Sequence, residues 1–380
     1  MRDRLLLVNI GITFTGLSIS ACSLSHEDPP ATPVSSCVIQ LSACTSGRAI
    51  DVFPDRAGQS PDIAWTSQTL LIAAEGPMGT VSVAAASESG EVTHSQSVAG
   101  LASPHVAWNE ESGTGIVRSD FHAYWVDAQG QVTTERISDP PSRTGTYGAA
   151  VTSVSGGFLF AQTTSTSPPL LSLGRAPLDG GELAWRGLDA SGFTAPLLWP
   201  STAGDPVTLL LDATVLTIDP ATLEITSTIV LDGMGSNEYP TSLVVRDSSV
   251  VVASWSTGNL GTTLDVSRWS DTGEWRSSNE DIVPQLRTGI VAALGDTLVV
   301  IGARPDGAVI AQALDPEGLA AVGEPRTLVR APAMAVVRHS FRVVTTRTGF
   351  ATVWAEAPLD PDGMVRAPLA ARVQISECCF

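Results

Sequence analysis

The sequence predicts an all-β fold in which seven four-stranded antiparallel blades form a ring, the last blade being closed by a strand from the N-terminal part of the chain. Three observations predict it. The 380 residues carry few charges and are rich in valine, alanine, glycine, serine and threonine, a mixture that favours strands over helices. A strand–turn–strand unit recurs along the chain at intervals of about 40 to 50 residues, a period that marks repeat architectures. Each of the first six units is then followed by an acidic or glycine-rich turn of hairpin chemistry.

The units follow in order, each an opening strand and a second, more apolar one. Asp62 to Trp65 precedes Leu70 to Ala74, and His105 to Trp108 precedes Gly115 to Val117. Ala150 to Thr152 precedes Phe158 to Ala161, and Leu197 to Trp199 precedes Val207 to Leu211. Ser242 to Val245 precedes Val250 to Ala253, Ile290 to Ala292 precedes Leu298 to Ile301, and Phe341 to Val344 precedes Phe350 to Val353. A third strand in each of the first six ends on a turn: Ser87-Glu88-Ser89-Gly90, Asp127-Ala128-Gln129-Gly130, Asp179-Gly180-Gly181, Asp219-Pro220-Ala221-Thr222, Asp271-Thr272-Gly273 and Asp315-Pro316-Glu317-Gly318. Asp and Pro set the entry to such turns and Gly supplies a positive φ, so a fourth strand returns antiparallel to the third. Four short strands per repeat without helical periodicity describe a propeller blade. On this repeat geometry, residues 44 to about 376 resemble the β-propeller superfamily, although the Gly-His and Trp-Asp pairs of WD40 repeats are missing.

The seventh unit is incomplete. Its turn Pro361-Asp362-Gly363 matches Pro305-Asp306-Gly307, and Met364 to Val373 then reads as a third strand with no fourth after it. Gly47 to Phe53 reads as a fourth strand lacking its first three, so the N-terminal segment is expected to complete the last blade. Cys37, Cys44, Cys378 and Cys379 flank this seam. An even cysteine count in an exported chain implies disulfides, and three pairings are open. The preferred one joins Cys37 and Cys44 to the Cys378–Cys379 pair; local pairs, including a vicinal Cys378–Cys379 bond, are the alternative. A metal site ranks third because no histidine lies near either pair.

The first residues supply an address. A basic start, Met1 to Arg4, leads into the mostly apolar Leu5 to Ile19, which is too short and too interrupted for a membrane span. It ends in Ile19-Ser20-Ala21-Cys22, which resembles the lipobox of bacterial lipoproteins; the resemblance implies diacylglycerol on Cys22. Ser23 rather than Asp after the cysteine points to the outer membrane within the cell envelope. The expected organisation is a signal peptide over 1–21, an acylated cysteine with a Pro-rich spacer over 22–36, and a propeller domain over 37–380. The acyl chains are the expected membrane anchor and the domain is read as a monomer.

Composition excludes several chemistries. All 21 basic residues are arginine, so lysine Schiff bases and the P-loop lysine are excluded, and the net charge of -18 disfavours nucleic acid as a partner. The histidines, His26, His94, His105, His122 and His339, show no metal-ligand spacing, and no GxSxG elbow occurs, so no metal and no cofactor are expected. His105 occupies the register of Asp62 and reads as a strand-start residue near a blade edge. Glu75, Asp120, Asp212 and Glu356 end second strands and could share a rim, where two carboxylates at a set separation would allow glycan hydrolysis or lysis. Ser270 to Trp275 is similar to the Asp box of sialidase-like propellers but is one residue short on each side of the aspartate, and Asp360 to Gly363 begins a calcium loop without completing it; both read as turns. Trp65, Trp108 and Trp199 recur at one strand position and read as inter-blade packing, leaving Trp125, Trp185, Trp269 and Trp275 as candidates for exposed contacts. The reading that follows is a non-catalytic binding scaffold for an envelope protein or glycan, using connections such as Thr163 to Pro169 and Gly233 to Tyr239; a glycan-active enzyme on the rim carboxylates is the alternative.

Overall fold

The computed structural model describes Leu41, Leu286 and residues 44–46, 49–54, 59–100, 103–119, 122–137, 146–164, 170–188, 195–199, 206–235, 238–246, 248–258, 261–279, 288–304, 306–329, 334–336, 341–347, 349–358 and 370–377. The regular structure of these residues is built from strands, with no α-helix among them. Six antiparallel sheets of four strands follow chain order from inner to outer edge. Blade 1 spans 59–99, blade 2 105–137, blade 3 146–188, blade 4 197–230, blade 5 238–279 and blade 6 288–329. A seventh, composite sheet closes the ring, so the fold is a seven-bladed β-propeller.

Residue type explains the strand positions within a blade. In blade 1 the second strand, Thr69–Glu75, is buried along Leu70-Leu71-Ile72-Ala73-Ala74, because neighbouring blades cover both faces of the sheet. The outer strand, Val92–Ala99, alternates between half-buried and exposed positions, as a strand covered on one face does. The hairpin joining third and outer strands depends on the residues anticipated for it. Gly90 and Gly130 adopt φ of 85° and 78°, and their amides donate to Ser87 O at 2.8 Å and Asp127 O at 2.9 Å. Blade 4 has no glycine there; Asp219 accepts the Ala221 amide at 2.7 Å and Leu223 takes the left-handed position at φ 59°.

Apolar clusters fill all seven gaps between blades. The gap between blades 7 and 1 resembles the others in composition, but part of it comes from the N-terminal segment: Val52 and Phe53 pack with Ile63, Leu70 and Ile72 of blade 1 and Val353 and Val373 of blade 7. Blade 7 itself is composite. Its core strands are Gly349–Pro358 and Ala370–Glu377, the inner side is supplied by Met334–Val336 and Arg342–Thr345, and the outer side by Thr45–Ser46 and Ile50–Asp51. Thr45 lies opposite Glu377, Ile50 lies opposite Val373, and the Val52 amide donates to Ala371 O at 3.1 Å. Within the expected closing strand, Gly47 to Phe53, Ile50–Asp51 pairs with blade 7, and Thr45–Ser46 pairs with the same strand just before it; Gly47 and Arg48 lie outside the described residues.

The third strand of blade 7 is described over Ala370–Glu377, so it overlaps the expected Met364 to Val373 at its end and continues four residues beyond it; residues 364–369 lie outside the described residues. The Asp360 to Gly363 turn falls outside the described residues, as does Cys22 with the leader and spacer.

If the N-terminal segment is part of the ring's core, Phe53→Ala should destabilise the protein as a blade-core truncation does, by about 3–5 kcal/mol. Denaturant unfolding measures this; a loss below about 0.5 kcal/mol, the range of surface changes, would show that the segment is peripheral.

Candidate binding site in the central channel

The inner strands surround a channel of about 760 Å³, within the range of ligand pockets. Most of its wall is small or apolar, including Gly148, Ala149, Ala195 and Pro196 on one side. Among the described lining residues, only Asp62, His105 and Arg342 have ionisable side chains. They occupy one register position in three consecutive blades, four residues before the pair that closes each inner hairpin: Thr66 with Thr69, Asn109 with Thr114, and Thr346 with Gly349. Ring closure brings blade 7 beside blade 1, and so sets Arg342, Asp62 and His105 side by side.

Asp62 is the hub. Its Oδ1 accepts the Ile63 amide at 2.9 Å and lies 3.6 Å from Arg342 Nε; its Oδ2 accepts the Val106 amide at 3.0 Å and lies 3.4 Å from His105 Nδ1. Burial by itself raises the carboxyl pKa, but the hydrogen bond to His105, the Arg342 charge and the Val106 amide together outweigh it and hold Asp62 below its ordinary value. The carboxylate stays charged and fully engaged. Across the channel an uncharged version of the same link joins blades 5 and 6, where Ser242 Oγ accepts the Val291 amide at 2.7 Å and Thr241 Oγ1 donates to Gly289 O at 2.8 Å.

The carboxylates anticipated at a rim sit in different settings. Glu75 ends the second strand of blade 1 opposite Gln59 and Val81. Asp212 occupies the tight turn between Val207–Leu211 and Thr214–Asp219, at φ 50°. Glu356 lies inside Gly349–Pro358, buried, accepting Trp354 Nε1 at 2.8 Å and Arg372 Nε at 3.1 Å. None of these three lines the channel, and Asp120 lies outside the described residues.

Two tryptophans expected to offer exposed contacts are core residues. Trp125 and Trp269 are buried between blades, with indole N–H groups donating to Pro177 O at 2.9 Å and Asp232 O at 2.8 Å. Trp185 is half-buried beside Phe160, the two rings flanking the buried Arg118 guanidinium at 5.6 Å each; only Trp275, 52% exposed, meets the expectation. Trp65, Trp108 and Trp199 do pack against inter-blade clusters, while also lining the channel. The Ser270 to Trp275 segment is a hairpin turn: Ser270 Oγ accepts the amides of Thr272 at 3.3 Å and Glu274 at 3.1 Å. Cys44 is buried in the cluster between blades 6 and 7; Cys37, Cys378 and Cys379 lie outside the described residues.

The register shared by Asp62 and His105 was visible in the sequence, but Arg342 was not connected with them. The signal is there: reading the repeat as a circle, so that copy seven precedes copy one, aligns a cation, an anion and an imidazole at one position. His105 is on an edge strand, as expected, but that edge faces the channel.

No protein-family model matches the chain and no curated protein matches it. Solved structures do. The WD40 domain of Neurospora crassa Pan2 superposes with a TM-score of 0.53 at 13% identity, covering 88% of this chain and 96% of that one. The WD40 domain of Toxoplasma gondii coronin superposes with a TM-score of 0.53 at 9% identity, covering 88% of this chain and 87% of that one. The likeness is one of fold: the chain is WD40-like in architecture without the WD40 sequence signature.

The lowered Asp62 pKa has a stability consequence with a definite sign. A carboxyl with a folded-state pKa below its unfolded value contributes stability that is present in full above the unfolded value, near 3.8, and lost as pH falls through the folded pKa. Wild type should therefore lose stability on acidification below about pH 4 more steeply than Asp62→Asn. Melting temperatures followed from pH 6 to pH 2 would show the two profiles converging; parallel profiles would mean that Asp62 is not held charged by its neighbours.

Proposed function

We propose that this protein is a non-catalytic binding scaffold, held at the bacterial cell envelope by an acylated Cys22, with its ligand taken up at the central channel. One observation carries the binding reading. The channel's only ionisable groups among the described residues are locked to one another, and the sole carboxylate is consumed by two amides, an imidazole and a guanidinium, so it is poorly placed to accept a substrate proton. What the cluster leaves facing the channel is hydrogen-bond donor capacity, which recognises and holds.

The tether reading rests on the leader, the Ile19-Ser20-Ala21-Cys22 tetrapeptide and the Pro-rich stretch that follows, with the outer membrane favoured by Ser23. A seam disulfide fits the same exported setting. Cys44 is disulfide-bonded and immediately precedes Thr45, which pairs with Glu377, so a bridge to the Cys378–Cys379 pair would tie the closing strand to the strand it covers.

Two measurements test this. Expressed in a bacterial host and fractionated, wild-type chain should partition with membranes and incorporate a clickable palmitate analogue, while Cys22→Ser should do neither; an unlabelled wild type in the soluble fraction would sink the tether. Capture from envelope extract by the immobilised chain should enrich a discrete protein or glycan, and capture should weaken in an Arg342→Gln variant compared with wild type at a temperature where circular dichroism shows both folded. No enrichment from extract and from glycan and peptide arrays would count against the scaffold.

A further inference from the structure

The polar groups of the channel specify a ligand chemistry, an inference that rests on the channel being the ligand site. Asp62 has no lone-pair direction left for a ligand cation, since two amides, His105 and Arg342 occupy both oxygens. The groups facing it keep unspent nitrogens. Arg342 spends Nη1 on Phe341 O at 2.8 Å and directs Nε at Asp62; Nη2 has no hydrogen-bond partner among the described residues. His105 uses Nδ1 on Asp62, and its Nε2 likewise has no partner among the described residues. Both side chains retain exposed surface, 33% and 14%, and both line the channel.

A guanidinium with an unspent Nη2, beside an imidazole held by its Nδ1 on the same carboxylate, in a channel otherwise walled by small and apolar residues, matches one kind of group. A cation placed there would meet Arg342 and no available carboxylate oxygen. A neutral hydroxyl would meet the Arg342 Nη2 donor without a charge to match it. A carboxylate has two acceptor oxygens, and the guanidinium fork favours it over any neutral acceptor. The rest of the channel wall is small or apolar, so the body of such a ligand meets no competing charge among the described lining residues. We propose that the channel binds a carboxylate, presented by a small organic acid, a uronic sugar or a free peptide C-terminus, with Arg342 as its donor, His105 Nε2 adding a second N–H when the ring is protonated, and Asp62 as the group that orients both.

The test uses purified full-length chain in detergent, with calorimetry and the His105 ring resonances as readouts. The probes are acetate, galacturonate and a Gly-Ala-Ala tripeptide, each against its neutral counterpart: acetamide, galactose and the tripeptide amide. At least one acid is expected to bind and to shift the His105 resonances, its neutral counterpart to bind about ten-fold more weakly or not at all, and Arg342→Gln and His105→Asn each to lose about ten-fold. Arg342→Lys keeps the charge but not the fork and should recover only part of the affinity, which separates recognition from loss of fold if Arg342→Gln melts early. Neutral counterparts binding as well as the acids, or Arg342→Lys and His105→Asn both binding like wild type, would overturn the carboxylate assignment while leaving a channel site standing. No binding of any probe at millimolar concentration would overturn it too, and capture of a partner from envelope extract by the same preparation would then place the scaffold's contact elsewhere than the channel.

Discussion

Each blade of this ring has two apolar faces and can cover neither alone. The second strands show the demand most directly: Leu70 to Ala74, Leu298 to Ile301 and Phe350 to Ala355 are buried on both sides of their sheets, so every gap between blades must be filled. Six gaps join blades that follow one another along the chain. The seventh, between blades 7 and 1, is filled only if a segment preceding blade 1 crosses back to the far end of the chain. Val52 and Phe53 do this, while Leu41 and Cys44 pack against the gap between blades 6 and 7 and the Arg326 guanidinium donates to Leu41 O. The closing segment therefore touches both neighbours of the blade it completes, and the whole ring depends on its place there.

The channel chemistry is a consequence of that closure. Arg342 belongs to the last blade and Asp62 to the first; they share a site because the ring meets itself between them. A buried carboxylate with a single partner would be costly, and Asp62 escapes that cost by engaging two backbone amides and two side chains from three blades. The arrangement links stability and recognition. The groups that keep Asp62 charged are the groups that line the channel, so a change at Arg342 or His105 is felt by both.

Much of the architecture was legible in the sequence, for a physical reason: repeats make each blade's pattern visible several times over. The inner and second strands of blade 4, Leu197–Trp199 and Val207–Leu211, stand where the sequence placed them, and the turn glycines 90, 130, 180 and 273 take the positive φ their positions demand. The end of the third strand of blade 7 was less legible: it continues to Glu377, past the expected Val373, because no following turn marks its close in the sequence. Trp125 and Trp269 looked irregular along the chain yet are buried, since a third-strand side chain can fill an inter-blade gap whatever its spacing from other tryptophans. The channel cluster was half legible. Asp62 and His105 are neighbours by register, but Arg342 becomes their neighbour only on a circle, and a linear reading separates it from Asp62 by most of the chain. Glu356 illustrates the reverse: it looked like a strand-end carboxylate and is a buried partner of Arg372 and Trp354, neither of which its local sequence context singles out.

The central claim is that the N-terminal segment is an integral strand of the last blade, and amide hydrogen exchange tests it most directly. The Val52 amide, bonded to Ala371 O across the seam, should exchange as slowly as core amides of blades 1 to 6, such as those of Ile72 and Val300, and all should be released together on global unfolding. Free-peptide exchange at Val52 while Ile72 and Val300 stay protected would contradict the account, because the ring would then be holding together without its closing strand.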